Sequence, residues 1–368
     1  MKELKIGELT ARLPIIQGGM GVAISLSGLA SAVANQGGIG VISAVGIGMT
    51  EPDYIKNFRN ANKRALVKEI QKARILSPDG ILGVNLMIAL SDYDDLLKIA
   101  LDEEIDIVFI GAGLPLKMPK NIPTSTLINT KTKIFPKVSS ARAIKLIFSY
   151  WANNYNRIPD GVAIEGPMAG GHLGFKRKDL DEPFQELSEI IKESVEVLKP
   201  FEDKFNEKIP VIAAGGIYTG KDIYHIMNAG ADGVKMGTRF VTTYECDADE
   251  KFKEAYINAE KDDIVIIDSP VGLPGRVIRN SFVDDIMRGV QKPVKCPWKC
   301  LKTCNYKEVS FCIAQTLFNA AQGKMKEGFA FAGTNGYLAK KIYTVKEVFN
   351  QIISEYLIEK QLVETINQ

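Results

Sequence analysis

Short apolar runs and longer amphipathic stretches alternate along most of this chain. The apolar runs are PIIQG (Pro14–Gly18), IGVIS (Ile39–Ser43), ILGVNL (Ile81–Leu86) and IDIVFI (Ile105–Ile110), followed by KIFPKV (Lys133–Val138), GVAIEG (Gly161–Gly166), PVIAAGG (Pro210–Gly216) and GVKMG (Gly233–Gly237). Continuous Val/Ile runs of this length suit strands buried on both faces, as in a parallel sheet. Between them, LSGLASAVANQ, YDDLLKIALDEE, ARAIKLIFSYWANN, ELSEIIKESVEVLK and GKDIYHIMNAG carry apolar residues at three- and four-residue spacing, and the last stops at a glycine. Strands alternating regularly with helices predict a (β/α)8 TIM barrel, with an open doubly wound sheet as the competing arrangement.

In a barrel, function belongs to the loops that follow the strand C-termini. Here those loops read QGGM, VNLM, IEGPMAGGH, AAGG and KMGTRF. After Phe240 the alternation fails: a charged helix, a short strand-like run and a Pro/Gly loop follow, then a helical region from about Phe311. The expected organisation is a barrel over 1–241, a small inserted or C-terminal lid over 242–310, and helices over 311–368 packed on the barrel.

Composition narrows the function. Forty-six Lys and Arg stand against 44 Asp and Glu, a net charge near +2, which gives no reason to expect nucleic acid or an anionic membrane as partner. No apolar run is long enough to span a bilayer and the N-terminus lacks a signal-peptide core, so a soluble, cytoplasmic protein is expected. Five cysteines, an odd number in a long chain, argue against a secreted disulfide framework.

Four turns carry candidate chemistry. Gly215–Gly216 and Gly237–Thr238 follow the seventh and eighth runs, where backbone N–H groups at strand ends commonly hold phosphate in barrels. Gln17-Gly18-Gly19-Met20 and Asn85 place glycine backbone and two amides near strand ends, suited to the edge of a flat ring. Glu165 and His172 are separated by GPMAGG, a flexible turn able to fold both toward one pocket, where a histidine can act as base or hydrogen-bond partner. The second histidine, His225, lies in the helix KDIYHIMNAG and reads as structural.

The ordered set PIIQGGM, GVNLM, EGPMAGGHLG, PVIAAGGI and GADGVKMGTRF resembles the nitronate monooxygenase family, formerly the 2-nitropropane dioxygenases, which includes flavin-dependent enoyl-ACP reductases. The resemblance covers about Leu13–Phe240 and extends more weakly through SPVGLPGR (Ser269–Arg276). It implies FMN as cofactor, its phosphate held by Gly215, Gly216, Gly237 and Thr238, with Ala214 and Met236 as further cofactor-binding candidates. Gln17, Gly18, Gly19, Met20 and Asn85 would line the ring, with Gly170 and Gly171 approaching it where a side chain would collide; Lys137 and Glu165 are further cofactor-binding candidates. His172 matches the active-site histidine of the AGGH motif. The implied reaction oxidises alkyl nitronates with O2 to a carbonyl compound and nitrite, His172 orienting the nitro group and taking the α-proton of neutral nitroalkanes. The alternative on the same barrel is reduction of an enoyl thioester or quinone by NAD(P)H. A homodimer is the assembly considered. One position departs: Met168 stands where the family motif often has a second glutamate, which removes a carboxylate from the pocket edge.

Cys296, Cys300, Cys304 and Cys312 are spaced four, four and eight residues apart. On a helix this would put them on one face, and four thiolates can bind zinc or an iron–sulfur cluster. Packing as small reduced hydrophobes is the competing reading, and the family chemistry requires no metal.

Overall fold

A computed structural model describes residues 1–181, 184–292 and 294–366 of the chain. Positions 182 and 183 of the expected barrel, 293 of the expected lid and 367 and 368 of the C-terminal helices lie outside the described residues. Each of the eight apolar runs forms a strand: β1 (Ile15–Gln17), β2 (Ile39–Ser43), β3 (Ile81–Met87), β4 (Ile107–Gly111), β5 (Lys133–Val138), β6 (Val162–Glu165), β7 (Val211–Ala214) and β8 (Gly233–Met236). They pair in parallel and in chain order, and β8 closes on β1 with Met236 opposite Gln17. Closure excludes the open sheet.

Period-two alternation sends Ile16, Val41, Phe109, Phe135, Ala163 and Ile212 into the barrel interior, where they form one apolar cluster with Leu4, Ile6 and Ala11. Those three belong to an N-terminal hairpin, Leu4–Ile6 paired with Leu9–Ala11, which plugs the end where the strands begin. A Cβ on Gly233, the first residue of β8, would lie 3.2 Å from Leu4 Cδ2. The hairpin leaves the other end, at the strand C-termini, for chemistry.

The outer helices include Ser27–Asn35, Tyr54–Leu76, Tyr93–Asp102, Ala141–Tyr155, Leu187–Phe205 and Gly220–Asn228. Directly after β8 comes the four-residue helix Thr238–Val241, too short to cover the barrel wall. The C-terminal helix Val345–Ile366 returns to pack on Gly220–Asn228 and Ser27–Asn35, and so takes the eighth outer position. The fit is close: a Cβ on Gly220 would lie 2.0 Å from the Ile352 carbonyl oxygen, and the Gly220 N–H donates to Glu355 at 2.7 Å. Residues 242–344 are therefore inserted between the eighth strand and the eighth helix.

Within the insertion, β9 (Ile264–Asp268) and β10 (Pro274–Ile278) pair antiparallel. β10 also pairs with Gly171–His172 from the loop after β6, which fastens the insertion to the barrel mouth. Ile267, Val277, Phe282, Val283, Phe311, Ile313 and Phe329 give it a second core. Among the described residues no helix is long and apolar enough to cross a membrane.

Candidate active site

One step beyond the apolar interior layer, the same alternation puts Ser43, Asn85, Lys137, Glu165 and Lys235 at the floor of the barrel mouth. Lys137 and Glu165, on adjacent strands, form an ion pair at 3.1 Å. The Asn85 side chain lies against Gly19, where a Cβ would come within 2.4 Å of Asn85 Cβ, and its amide has no hydrogen-bond partner among the described residues. Ser43 Oγ and Lys235 Nζ are buried without a partner. Lys235 Nζ sits 3.7 Å over the centre of the Phe109 ring. Burial, then the nearby Lys137 charge, lowers its pKa from 10.5 to about 7, against an opposing pull from Glu165. Lys235 is a site residue that the sequence marks only as a lysine at an inward position of the buried run GVKMG. Three unpartnered polar groups on one floor mark a place built for a polar ligand.

Gln17 is placed otherwise than as a ring-facing amide. It is wholly buried; its Oε1 accepts from the Val41 N–H at 2.9 Å and its Nε2 donates to Ser25 Oγ at 2.9 Å and to the Gly18 carbonyl. It braces β1 to β2. Gly18 packs against Gly237, where a Cβ would lie 2.9 Å from Gly237 Cα, so the first turn seals the barrel closure.

The loop after β6 is held from the insertion. Arg276, 4% exposed in β10, donates to the carbonyl of Pro167 at 2.7 Å and to that of Ala169. Burial first, then the Arg177 charge, lowers its pKa to about 10. A Cβ on Gly170 would lie 2.5 Å from both the Ala332 carbonyl carbon and the Gly333 nitrogen. Gly170 is thus required by protein backbone, which corrects the expectation that a flat cofactor excludes its side chain. Gly171 has φ +80° and nothing within 4 Å of a Cβ, so its Cβ position opens into free space.

His172 Nε2 lies 2.7 Å from Ser269 Oγ, and its ring meets Phe331 edge-on at 4.9 Å between centroids. Burial, then the Lys137 charge, lowers its pKa from 6.5 to about 4, so it is neutral at pH 7. Ser269 and Arg276 come from SPVGLPGR, a motif that the sequence placed in order but without a role. Met168 lines this loop too, its side chain filling the space a Cβ on Gly216 would enter.

The strand-end glycines open a second feature. Gly215 (φ +97°) and Gly216 (φ +76°) turn the chain in a way that L side chains rarely allow. The N–H groups of Gly215, Gly216, Gly237 and Thr238 find no acceptor among the described residues, whereas the Gly166 N–H beside them is paired with the Ala214 carbonyl. The N-terminus of helix Gly220–Asn228 is closed by a Thr219/Asp222 capping box, which leaves these turn amides as the free donors. A missed segment completes the rim: the Gly333 N–H donates to Thr238 Oγ1 at 3.0 Å and Asn335 Nδ2 to the Gly216 carbonyl at 2.7 Å. Free amides beside an unpaired amide, hydroxyl and amine fit an anionic nucleotide-type cofactor such as FMN.

His225 lies on the outer wall, bonded to Glu359 at 2.8 Å, away from the mouth. The thiol segment is not helical: it runs as turns and bends until helix Ile313–Ala321, whose N-cap is Cys312. Pro297 and Lys299, at φ +48°, prevent the helix that the spacing predicts. Among the described residues no group of three or more His, Cys, Asp or Glu is arranged to hold a single metal ion.

A closed barrel with a donor-rich mouth and a buried histidine on the sixth loop defines a cofactor-dependent barrel enzyme. Residues 2–355 match the family model described as nitronate monooxygenase; the chain belongs to that family and is an oxidoreductase. It is 25% identical over 276 residues to a methyl-oxo-octahydroindene-carboxyl-CoA dehydrogenase of Mycobacterium tuberculosis, covering 75% of this chain and 66% of that relative, about two thirds of its length. A probable nitronate monooxygenase of Staphylococcus saprophyticus is 27% identical over 299 residues, 75% of this chain and 78% of the relative. Among solved structures, FabK from Thermotoga maritima superposes with a TM-score of 0.72 at 28% identity, over 96% of this chain and 95% of that one. A nitroalkane oxidase from Streptomyces ansochromogenes shares the fold, with a TM-score of 0.72 at 20% identity over 95% and 97%.

Proposed function

We propose that this chain is an FMN-dependent oxidoreductase that oxidises alkyl nitronates with O2 to a carbonyl compound and nitrite. The observation that carries the reading is His172, held neutral by burial and by the Lys137 charge at the mouth floor. The free amides of Gly215, Gly216, Gly237 and Thr238 would hold the FMN phosphate, with the flavin ring over Gly19, Met20 and Asn85 and beside Gly171. When bound, FMN supplies the electron-accepting centre.

The protein's own groups do the rest. With Ser269 Oγ–H donating to His172 Nε2, the imidazole keeps its proton on Nδ1 and offers a hydrogen bond to an anionic oxygen. Lys137, paired with Glu165, and the protonated fraction of Lys235 favour a negatively charged substrate. A histidine with pKa about 4 is a weak base at neutral pH, so proton abstraction from neutral nitroalkanes would be the slower route. Nitronates, already deprotonated, need none. We read 242–310 as a lid, because β10 pairs with Gly171–His172; the segment that follows completes its core through Phe311, Ile313 and Phe329, and helix Val345–Ile366 packs on the barrel.

His172→Ala should retain FMN and lose turnover of a nitronate by about 10²-fold, the cost of removing one donor to an anionic oxygen; turnover equal to the wild type overturns the assignment. A second reading, NAD(P)H-dependent reduction of an enoyl thioester or quinone, is favoured by the similarity to FabK across 96% of the chain. Anaerobic mixing separates the two: rapid flavin bleaching by NADH or NADPH supports reduction, and nitronate oxidation without nicotinamide supports oxidation.

A further inference from the structure

Four of the five cysteines meet although no helix aligns them. Cys296, Cys300, Cys304 and Cys312 all line one small enclosed cavity, together with Val294, Lys299, Leu301, Tyr306, Val309 and Ile313. The fifth, Cys246, is buried elsewhere, and all five are free thiols. No carboxylate or imidazole lines the cavity, so its donors are soft sulfur alone, a set that selects zinc, copper(I) or iron–sulfur centres over hard cations. Between 292 and 312 the chain carries five lysines against one glutamate, a local charge that offsets several thiolates.

The segment is anchored rather than loose. The Ser91 N–H donates to the Cys300 carbonyl at 3.0 Å and the Lys302 N–H to the Ala89 carbonyl at 2.9 Å. Trp298 stacks on Phe58 at 5.5 Å, and Cys300 packs with Val22 and Met49. Residues 89–91 follow β3 and Val22 follows the first glycine turn, so the cavity lies against loops of the barrel mouth.

The geometry distinguishes the metals. A single zinc ion with Zn–S bonds of about 2.3 Å needs four sulfurs about 3.8 Å apart around one point, and no such single-ion arrangement is present among the described residues. A multi-iron cluster takes four thiolates from a wider ring. We propose that Cys296, Cys300, Cys304 and Cys312 bind an iron–sulfur cluster seated against the loops that follow β1 and β3.

The test uses full-length protein purified without oxygen and reconstituted with ferrous iron and sulfide. Iron and acid-labile sulfide should bind in equal amounts, ~2–4 of each per chain, with visible absorbance that survives extraction of the flavin and bleaches with dithionite. Cys304→Ser and Cys312→Ser should each lose at least half of the iron while retaining flavin, and Cys246→Ser should retain both. One equivalent of zinc in place of iron, no iron after reconstitution, or unchanged iron in the Cys304→Ser and Cys312→Ser proteins would overturn the proposal.

Discussion

Replacing Lys235 with methionine should make the flavin-free protein more stable at pH 7 and remove most of that gain by pH 10. Burial, then Lys137, depresses the Lys235 pKa from 10.5 to about 7. Between those values the unfolded chain binds a proton that the native state largely does not, so wild-type stability rises with pH across this window. At about 1.36 kcal/mol for each tenfold change in proton affinity, burying this lysine costs about 4–5 kcal/mol at pH 7. Two losses oppose the gain from Lys235→Met: the contact of Nζ with the Phe109 face, worth about 0.5–2 kcal/mol, and imperfect repacking, about 1 kcal/mol. The expected net gain is about 2–3 kcal/mol at pH 7, a rise in Tm of several degrees. Thermal unfolding of both proteins by circular dichroism at pH 7, 8, 9 and 10 measures it, and the Tm difference should shrink steadily as pH rises. A difference of zero at pH 7, or one independent of pH, would refute the buried, unpartnered state of Nζ. The same substitution should weaken FMN binding if the amine serves the cofactor, so stability and function would move in opposite directions.

His172 gives the acid counterpart. Its pKa falls from 6.5 to about 4, so the stability it contributes is complete above pH 6.5 and declines by up to about 3 kcal/mol as pH drops toward 4; His172→Gln should flatten that limb in a denaturant series, and an unchanged limb would contradict its burial. Gly170→Ala drives a Cβ to within 2.5 Å of the 332–333 backbone and should destabilise by ~1–3 kcal/mol. Gly171→Ala meets open space and should cost only the left-handed backbone penalty of roughly 1–2 kcal/mol; calorimetry showing the reverse order would sink the assignment of Gly170 to backbone packing. Arg276→Met strands the carbonyls of Pro167 and Ala169 at about 1–3 kcal/mol each, and faster loss of FMN on dialysis is the readout, with wild-type retention counting against the clamp.

What could be read from the chain followed from how locally each feature is encoded. All eight strands were visible because a parallel strand buried on both faces is a continuous apolar run. Helix Tyr54–Leu76 escaped notice because three of its seven buried positions are Ala61, Ala65 and Ala73, which give a faint periodicity among many lysines and arginines. The N-terminal hairpin is too short to announce itself, and nothing near β8 indicates that its helix arrives from Val345 onward. The same division runs through the site. Glycine turns and AGGH are local, so they were legible; the His172 partner Ser269 and the loop clamp Arg276 were not, since they arrive only through a strand pairing about a hundred residues distant in sequence. The cysteines show the limit from the other side. Their spacing predicted convergence for a helical reason that is wrong, yet they converge, because Lys299 in a left-handed conformation and the pinning of Cys300 to Ser91 turn an irregular loop inward. Convergence without regular secondary structure is a stronger reason to look for a bound centre than helical spacing would be, because periodicity aligns side chains whether or not they serve a ligand.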